Sequence, residues 1–285
     1  MTNLLQTVRK QLTKVYDRHE ADAIAFLLLE ERFGISKCDL LVGKDIKFSP
    51  NEDAELQVIL SRLGKGEPVQ YVLGHTDFCG LDILVNKNVL IPRPETEGLV
   101  EWATEFLTSY ATTDSTRILD VCTGSGCIAL AMKNKFAQAD VYGIDISDGA
   151  VSVAQENSRR LSLPVNMTKA DALNLSASYS KTPFDLIMSN PPYVRECEKE
   201  EMETNVLDFE PHLALFVSNS DPTIFYREIT KFAIDSLKHG GAIFFEVNRL
   251  FGDDVEEILR AAGFISTEIR NDMFGNVRMV KGVKP

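Results

Sequence analysis

Apolar residues recur at helical spacing along the first 74 positions. Leu4, Leu5, Val8, Leu12 and Val15 share one face of a helix predicted over residues 3–16. Asp22 to Phe33 reads as a second, more apolar helix stopped by Gly34. A third runs from about Asp53 to Leu63, after the Ser49-Pro50-Asn51 turn and before Gly64. No β-rich segment interrupts this stretch, so a small helical bundle is predicted. Between His75 and Ile91 the period changes to two. Phe78, Leu81, Ile83 and Val85, with Gly80 and Asn86 as turn residues, predict a hairpin or paired strands. Glu95 and Glu97 then open a helix whose apolar face is Leu99, Trp102, Ala103, Phe106 and Leu107.

From Arg117 onward strands and helices alternate. Strands are predicted at Ile118–Val121, Val141–Ile146, Val165–Thr168, Phe184–Met188 and Ala242–Val247, with a closing antiparallel pair at Ile265–Ile269 and Val277–Val280. Helices are predicted at Gly126–Lys135, from the Ser147 cap to Leu161, at Thr223–Leu237 and at Val255–Ala262. Such alternation means an α/β domain with a mostly parallel, doubly wound sheet, here of seven strands. Residues 194–222 form a long, initially glutamate-rich connection, a length used for lids and binding segments or else left disordered. The predicted organisation is residues 1–74 as a helical domain, 75–92 as a β-hairpin linker and 93–285 as the α/β domain.

Composition narrows the class. Among 285 residues, 44% are hydrophobic and 25% charged, as in soluble globular proteins. The apolar run Ala23–Leu29 is too short to span a bilayer and Met1-Thr2-Asn3 opens no signal peptide, so a cytoplasmic protein without membrane association is expected. The net charge of -12 argues against stable nucleic-acid binding, which cationic contacts supply, and suits a basic protein partner. Cys38, Cys79, Cys122, Cys127 and Cys197 form no Cys-x-x-Cys pair and have no histidine at ligand spacing. They read as reduced, mostly buried thiols, and no metal site is expected.

The chemistry concentrates at two strand ends. Asp120-Val121-Cys122-Thr123-Gly124-Ser125-Gly126 leaves the first strand of the α/β domain and enters a helix, where glycines let the backbone approach a ligand. Asp145 ends the next strand, near the spacing at which a carboxylate holds ribose hydroxyls. Gly124-x-Gly126-x-x-Ala129 also fits a dinucleotide fingerprint, so this segment alone does not choose the cofactor. Two strands later comes Ser189-Asn190-Pro191-Pro192-Tyr193, where the prolines halt both helix and sheet and leave a rigid loop at a strand's carboxyl end. Asn-Pro-Pro-aromatic after the fourth strand, with Asp-x-x-x-Gly-x-Gly after the first, resembles class I S-adenosylmethionine methyltransferases acting on a planar nitrogen. The Asn190 side-chain oxygen and the Pro191 carbonyl can each accept one N–H of an –NH2 group and aim its lone pair at a methyl donor. Tyr193 can stack on the planar group and exclude water.

The same tetrapeptide occurs in N6-adenine DNA or RNA methyltransferases and in glutamine-N5 protein methyltransferases. Gly66-Glu67-Pro68-Val69-Gln70-Tyr71-Val72-Leu73-Gly74 and Ile91-Pro92-Arg93-Pro94-Glu95-Thr96-Glu97, with the glycine loop and Asn190–Tyr193, resemble the release-factor glutamine methyltransferase family of the PrmC/HemK type. Glu210-Pro211, Ala214-Leu215 and Tyr226-Arg227 extend the likeness. The resemblance implies a Rossmann-like class I methyltransferase domain behind a small all-helical domain that docks the substrate. It implies methyl transfer from S-adenosylmethionine, leaving S-adenosylhomocysteine, to the glutamine N5 of the Gly-Gly-Gln loop of peptide-chain release factors, by a cytoplasmic monomer. By position, Cys122, Thr123, Gly124, Ser125 and Gly126 would line the methionine part of the cofactor. Asp145 and Ile146 would lie at the ribose, and Asp171 with Ala172 at the adenine. Asn190 would touch cofactor and substrate amide; Pro191, Pro192 and Tyr193 would shape the glutamine slot. Arg93, Glu95 and Glu97 would line the same pocket. Cys122 stands where the family commonly has glycine. An adenine-N6 methyltransferase is the competing enzyme, a non-enzymatic S-adenosylmethionine-binding protein the competing class, and a dinucleotide oxidoreductase a more distant alternative.

Overall fold

Side-chain caps set the ends of the N-terminal helices. The computed structural model describes residues 4–44, 46–109, 116–175 and 182–285. Helix α1 spans Leu4–Leu12. Helix α2, Arg18–Phe33, starts at Asp17, whose carboxylate accepts the His19 and Glu20 amides, and stops at Gly34 in the left-handed region with φ 64°. A short α3 covers Lys37–Leu41. Helix α4, Pro50–Leu63, opens on a reciprocal Ser49–Glu52 capping box with Pro50 in the first turn, and α5 covers Val69–Leu73. Both long helices begin before their apolar pattern does, because capping residues rather than core residues mark their starts. Leu5, Val8, Leu12, Leu28, Leu29, Leu56, Leu60 and Leu63 are buried together, each contributing about 2 kcal/mol by leaving water. Val15, placed by period on the first helix, lies beyond its end and is exposed.

This helical unit comprises Met1–His75 together with Glu203–Phe209, so part of the 194–222 connection belongs to it. The second unit comprises Thr76–Met202 and Glu210–Pro285, and the segment read as a linker lies within it.

From Thr76 the second unit holds the rest of β1 (His75–Phe78) and β2 (Leu81–Leu84), which form a two-stranded sheet, followed by α6 (Pro94–Ser109). Alternation then runs β3 (Arg117–Val121), α7 (Cys127–Lys135), β4 (Asp140–Asp145), α8 (Asp148–Arg160), β5 (Asn166–Lys169) and β6 (Phe184–Ser189). The long connection contains β7 (Val194–Arg195), a 3-10 turn at Glu196–Glu201, α9 (Thr204–Phe209), α10 (His212–Leu215) and β8 (Phe216–Val217). It is therefore ordered into short elements, with β7 and β8 paired in parallel. The chain closes with α11 (Ile224–Ser236), β9 (Leu237–Glu246), α12 (Gly252–Ala261), β10 (Ile265–Asn271) and β11 (Val277–Val283).

Seven strands form one sheet in the order β10-β11-β9-β6-β3-β4-β5. β3, β4, β5, β6 and β9 are parallel, and β11 runs antiparallel to both β9 and β10. This is the mostly parallel sheet expected from the alternation, and it has the seven strands that a class I methyltransferase domain, implied by the resemblance, requires. β9 begins at Leu237, earlier than its apolar run, because the polar and small residues Lys238-His239-Gly240-Gly241 precede the hydrophobic part of the strand. Leu119, Ile187, Ile243, Phe245 and Val280 are buried on one face of the sheet and Ile118, Leu186, Met188 and Phe244 on the other, so helices are held against both. Among the described residues no helix is long and apolar enough to cross a membrane.

Register places the chemistry. Val121 pairs with both Ile144 and Ser189, and Ser189 with Phe245. One residue further along each strand, Asp145, Cys122, Asn190 and Glu246 therefore stand side by side at the carboxyl edge of the sheet. That edge, where the strand order reverses between β3 and β6, is where open α/β sheets bind ligands.

Candidate active site

A cavity of about 230 Å³ opens over this edge, wholly within the second unit. Its floor is the glycine loop. The Thr123 amide donates to Ile144 O at 2.8 Å, and its hydroxyl donates to Asp120 Oδ2 at 2.5 Å. The Gly126 amide donates to Thr123 O at 2.8 Å, closing the turn into α7. Gly126 has φ 82°, and a Cβ there would lie 2.9 Å from Met167 Cε and 3.1 Å from Ala154 Cβ, so only glycine fits. Cys122 adopts φ 63° without that freedom, at a cost of about 1 kcal/mol.

Asp145 ties the loop to the next strand. Its Oδ2 accepts the Gly124 amide and its Oδ1 the Ser147 amide, both at 2.9 Å, and Ser147 caps α8. Burial raises its pKa, while the amides of Ser147 and Gly124 oppose the rise. Each of these oxygens keeps a second lone pair for a hydroxyl donor. Asp171 uses its own carboxylate to cap the turn Ala172–Asn174, accepting the Leu173 amide at 2.9 Å. Ile146, Ala172, Leu173 and Phe225 supply apolar wall, and Ile146 stays 44% exposed there. Two acidic groups able to take hydroxyl or amine protons, beside flat apolar walls, suit a nucleoside with a cationic amino-acid arm. S-adenosylmethionine has that composition.

On the opposite wall, Asn190 donates through Nδ2 to Thr96 Oγ1 at 3.3 Å, and Thr96 Oγ1 donates to Glu246 Oε2 at 2.6 Å. Glu246 Oε1 accepts the Tyr193 hydroxyl at 3.0 Å. Thr96 and Glu246 are buried. Burial raises the pKa of Glu246, opposed by the two hydroxyls and by Arg278. The Tyr193 phenol is pushed up by burial and then by Glu246.

Of the residues singled out in the sequence, Arg93, Cys122, Thr123, Gly124, Ser125, Asp145, Ile146, Asp171, Ala172, Asn190 and Pro192 line the cavity. Gly126, Pro191 and Tyr193 do not; Gly126 shapes the loop from behind, Pro191 is buried, and the Tyr193 hydroxyl is held by Glu246. Glu95 and Glu97 also stand off this lining. Helix α6 begins at Pro94, so Arg93 and Thr96, three apart, share the cavity face, whereas Glu97 Oε1 accepts the Cys79 amide at 2.7 Å.

Other contributors stand outside the glycine loop and the Asn-Pro-Pro-Tyr loop. Glu210, 4% exposed, accepts Arg93 at 2.5 Å and the Ile91 amide at 3.1 Å, fastening Ile91–Arg93 beside Pro211, Leu213 and Ala214, which also line the cavity. Thr96 belongs to the Arg93–Glu97 segment expected at the pocket, whereas Glu246 carried no expectation. Glu246 was discoverable: an acidic residue ending the apolar run Ile243-Phe244-Phe245 carries the signal that singled out Asp145.

Comparison with known proteins agrees with this geometry. Residues 3–74 match the family described as PrmC N-terminal domain, and residues 112–243 match that described as Methyltransferase domain. The chain is 39% identical over 270 residues to a release factor glutamine methyltransferase from Flavobacterium psychrophilum, covering 95% of this chain and 94% of that protein. It is 38% identical over 280 residues to one from Bacteroides thetaiotaomicron, covering 98% and 99%. Among solved structures, the hMettl16 catalytic domain in complex with an RNA hairpin superposes with a TM-score of 0.57 at 15% identity, covering 76% of this chain and 81% of that one. At that identity the likeness shows the fold alone.

Proposed function

The chain belongs to the release factor glutamine methyltransferase family, and on that premise we propose that it methylates the N5 side-chain amide of the glutamine in the Gly-Gly-Gln loop of peptide-chain release factors. When bound, S-adenosylmethionine supplies an electrophilic methyl group on a sulfonium. Cys122–Ser125 would hold its methionine part, Asp145 the ribose, and Asp171, Ala172 and Leu173 the adenine.

The observation that carries the reading is the state of Asn190. A carboxylate only accepts hydrogen bonds, so an ionised Glu246 takes the single Thr96 hydroxyl proton. Toward Asn190 the Thr96 oxygen then accepts, and the atom facing it is the donor Nδ2. Oδ1 is left as the acceptor of the Asn190 amide. A glutamine amide nitrogen is a poor nucleophile because its lone pair is delocalised into the carbonyl. Asn190 Oδ1 and the Pro191 carbonyl would each accept one of its N–H groups, orient the lone pair, and meet positive charge as it develops on nitrogen. No base is needed beforehand, since the nitrogen becomes acidic only on gaining the methyl group. Pro192 and Arg93 would border the amide slot.

The helical unit would dock the release factor, and the reading takes the enzyme to be a cytoplasmic monomer. Radiolabelled methyl transfer, with release factor and duplex DNA offered in parallel, tests the substrate. Label on the release factor, lost when its Gly-Gly-Gln glutamine is replaced, is the expected result; label on DNA alone would replace this reading with the adenine one.

A further inference from the structure

We propose that Glu246 is a positioning residue that fixes which end of the Asn190 amide faces the substrate, acting through the Thr96 hydroxyl. The inference rests on Asn190 being the acceptor for the substrate amide, as argued above.

An asparagine amide rotated by half a turn occupies the same space but exchanges acceptor for donor. Shape alone therefore cannot select the productive orientation; a polar partner must. In this chain the partner is Thr96, whose hydroxyl has one proton and is neutral in preference, able to donate to Asn190 Oδ1 as readily as to accept from Nδ2. Glu246 removes the ambiguity by drawing that proton at 2.6 Å, the shorter of the two contacts made by Thr96 Oγ1. Register makes the arrangement possible: Asn190 and Glu246 follow the paired residues Ser189 and Phe245 on adjacent parallel strands, and Thr96 reaches their carboxyl edge from α6. The other Glu246 oxygen takes the Tyr193 hydroxyl, so one buried carboxylate restrains the Asn-Pro-Pro-Tyr loop at both ends. The Tyr226 hydroxyl donates to Glu246 O at 3.2 Å and so fixes the strand end itself. Glu246 lines no part of the cavity, which separates it from residues that touch ligand.

Replacing the carboxylate with its isosteric amide tests this. In Glu246→Gln the side chain can donate to Thr96 and free the Thr96 proton for Asn190 Oδ1. The assay compares wild type, Glu246→Gln, Thr96→Val, Thr96→Ser and the Glu246→Gln/Thr96→Val double variant in methyl transfer to purified release factor, with kcat and KM separated. Cofactor affinity and the 15N side-chain amide resonances of Asn190 in the cofactor-loaded enzyme are measured alongside. Glu246→Gln should lower kcat by about tenfold or more, less than loss of a direct transition-state contact, with cofactor affinity unchanged. The double variant should be no slower than Thr96→Val, because either change breaks the same relay. Thr96→Ser, which keeps the hydroxyl, should exceed Thr96→Val. The Asn190 resonances should move in Glu246→Gln and Thr96→Val and stay in place in Thr96→Ser. Wild-type kcat in Glu246→Gln, additive losses in the double variant, or unmoved Asn190 resonances would overturn the relay. Since the resonances require no substrate, they decide the relay even if the release factor is not labelled, an outcome that would sink the substrate reading alone.

Discussion

The Asp145 carboxylate accepts the Gly124 amide at 2.9 Å, so the residue proposed to hold the ribose also holds the glycine loop in shape. One side chain thus couples loop geometry to ligand contact. Asp145→Ala is expected to weaken S-adenosylmethionine and S-adenosylhomocysteine binding by about ten- to a hundredfold, the range for losing charge-assisted hydrogen bonds. Calorimetric titration checks this, and unchanged affinity would contradict the ribose assignment.

Asp120 is the loop's hidden titrating group. It is fully buried, and Oδ1 has no hydrogen-bond partner among the described residues. Burial pushes its pKa up to about 7, against the Thr123 hydroxyl and the Ala129 amide, which favour the charged form. In the unfolded chain the group ionises near its ordinary value of about 4. Between those limits the native state holds the extra proton, so this group's contribution to stability is greatest at low pH and falls as pH rises toward 7. Asp120→Asn stays neutral throughout. Denaturant unfolding at roughly pH 5 and pH 8 should show wild type losing about 2–3 kcal/mol more than the variant across that interval. Equal pH dependence in the two proteins would contradict the assignment.

Asn157 on α8 joins the glycine loop of the site to strand β2. Its Oδ1 accepts the Leu84 amide at 2.7 Å, and its Nδ2 donates to Leu84 O at 3.0 Å and Ser125 O at 2.9 Å. Asn157→Ala leaves those backbone groups without this partner, and a loss of about 2–4 kcal/mol is expected from equilibrium unfolding. Cofactor affinity should fall with it, because Ser125 belongs to the glycine loop. Wild-type stability in this variant would show that the β2–loop link is dispensable.

Much of this was legible beforehand because it depends on local patterns. Alternating periods marked all seven strands of the large sheet, and the carboxyl ends of β3, β4 and β6 marked Cys122, Asp145 and Asn190. What escaped depends on distant pairing. Glu246 gains meaning only when β9 lies beside β6, and Thr96 only when α6 reaches them both; no spacing in one dimension records either fact. Glu97 shows the complementary case. It stands beside Thr96 in the chain, yet helical geometry turns it to the Cys79 amide. The ordered elements within 194–222 were obscured because each is six residues or shorter, below the length at which a period declares itself.

The central claim is that Asn190 accepts the glutamine amide while that amide is methylated. Its most direct test is single-turnover methyl transfer to purified release factor by wild type and Asn190→Ala, both saturated with S-adenosylmethionine, with mass spectrometry locating the product. The account expects one methyl group on the Gly-Gly-Gln glutamine with wild type, and a rate lower by about a hundredfold or more with Asn190→Ala at equal cofactor occupancy. Wild-type rates from Asn190→Ala, or a methyl group on any other residue, would contradict it.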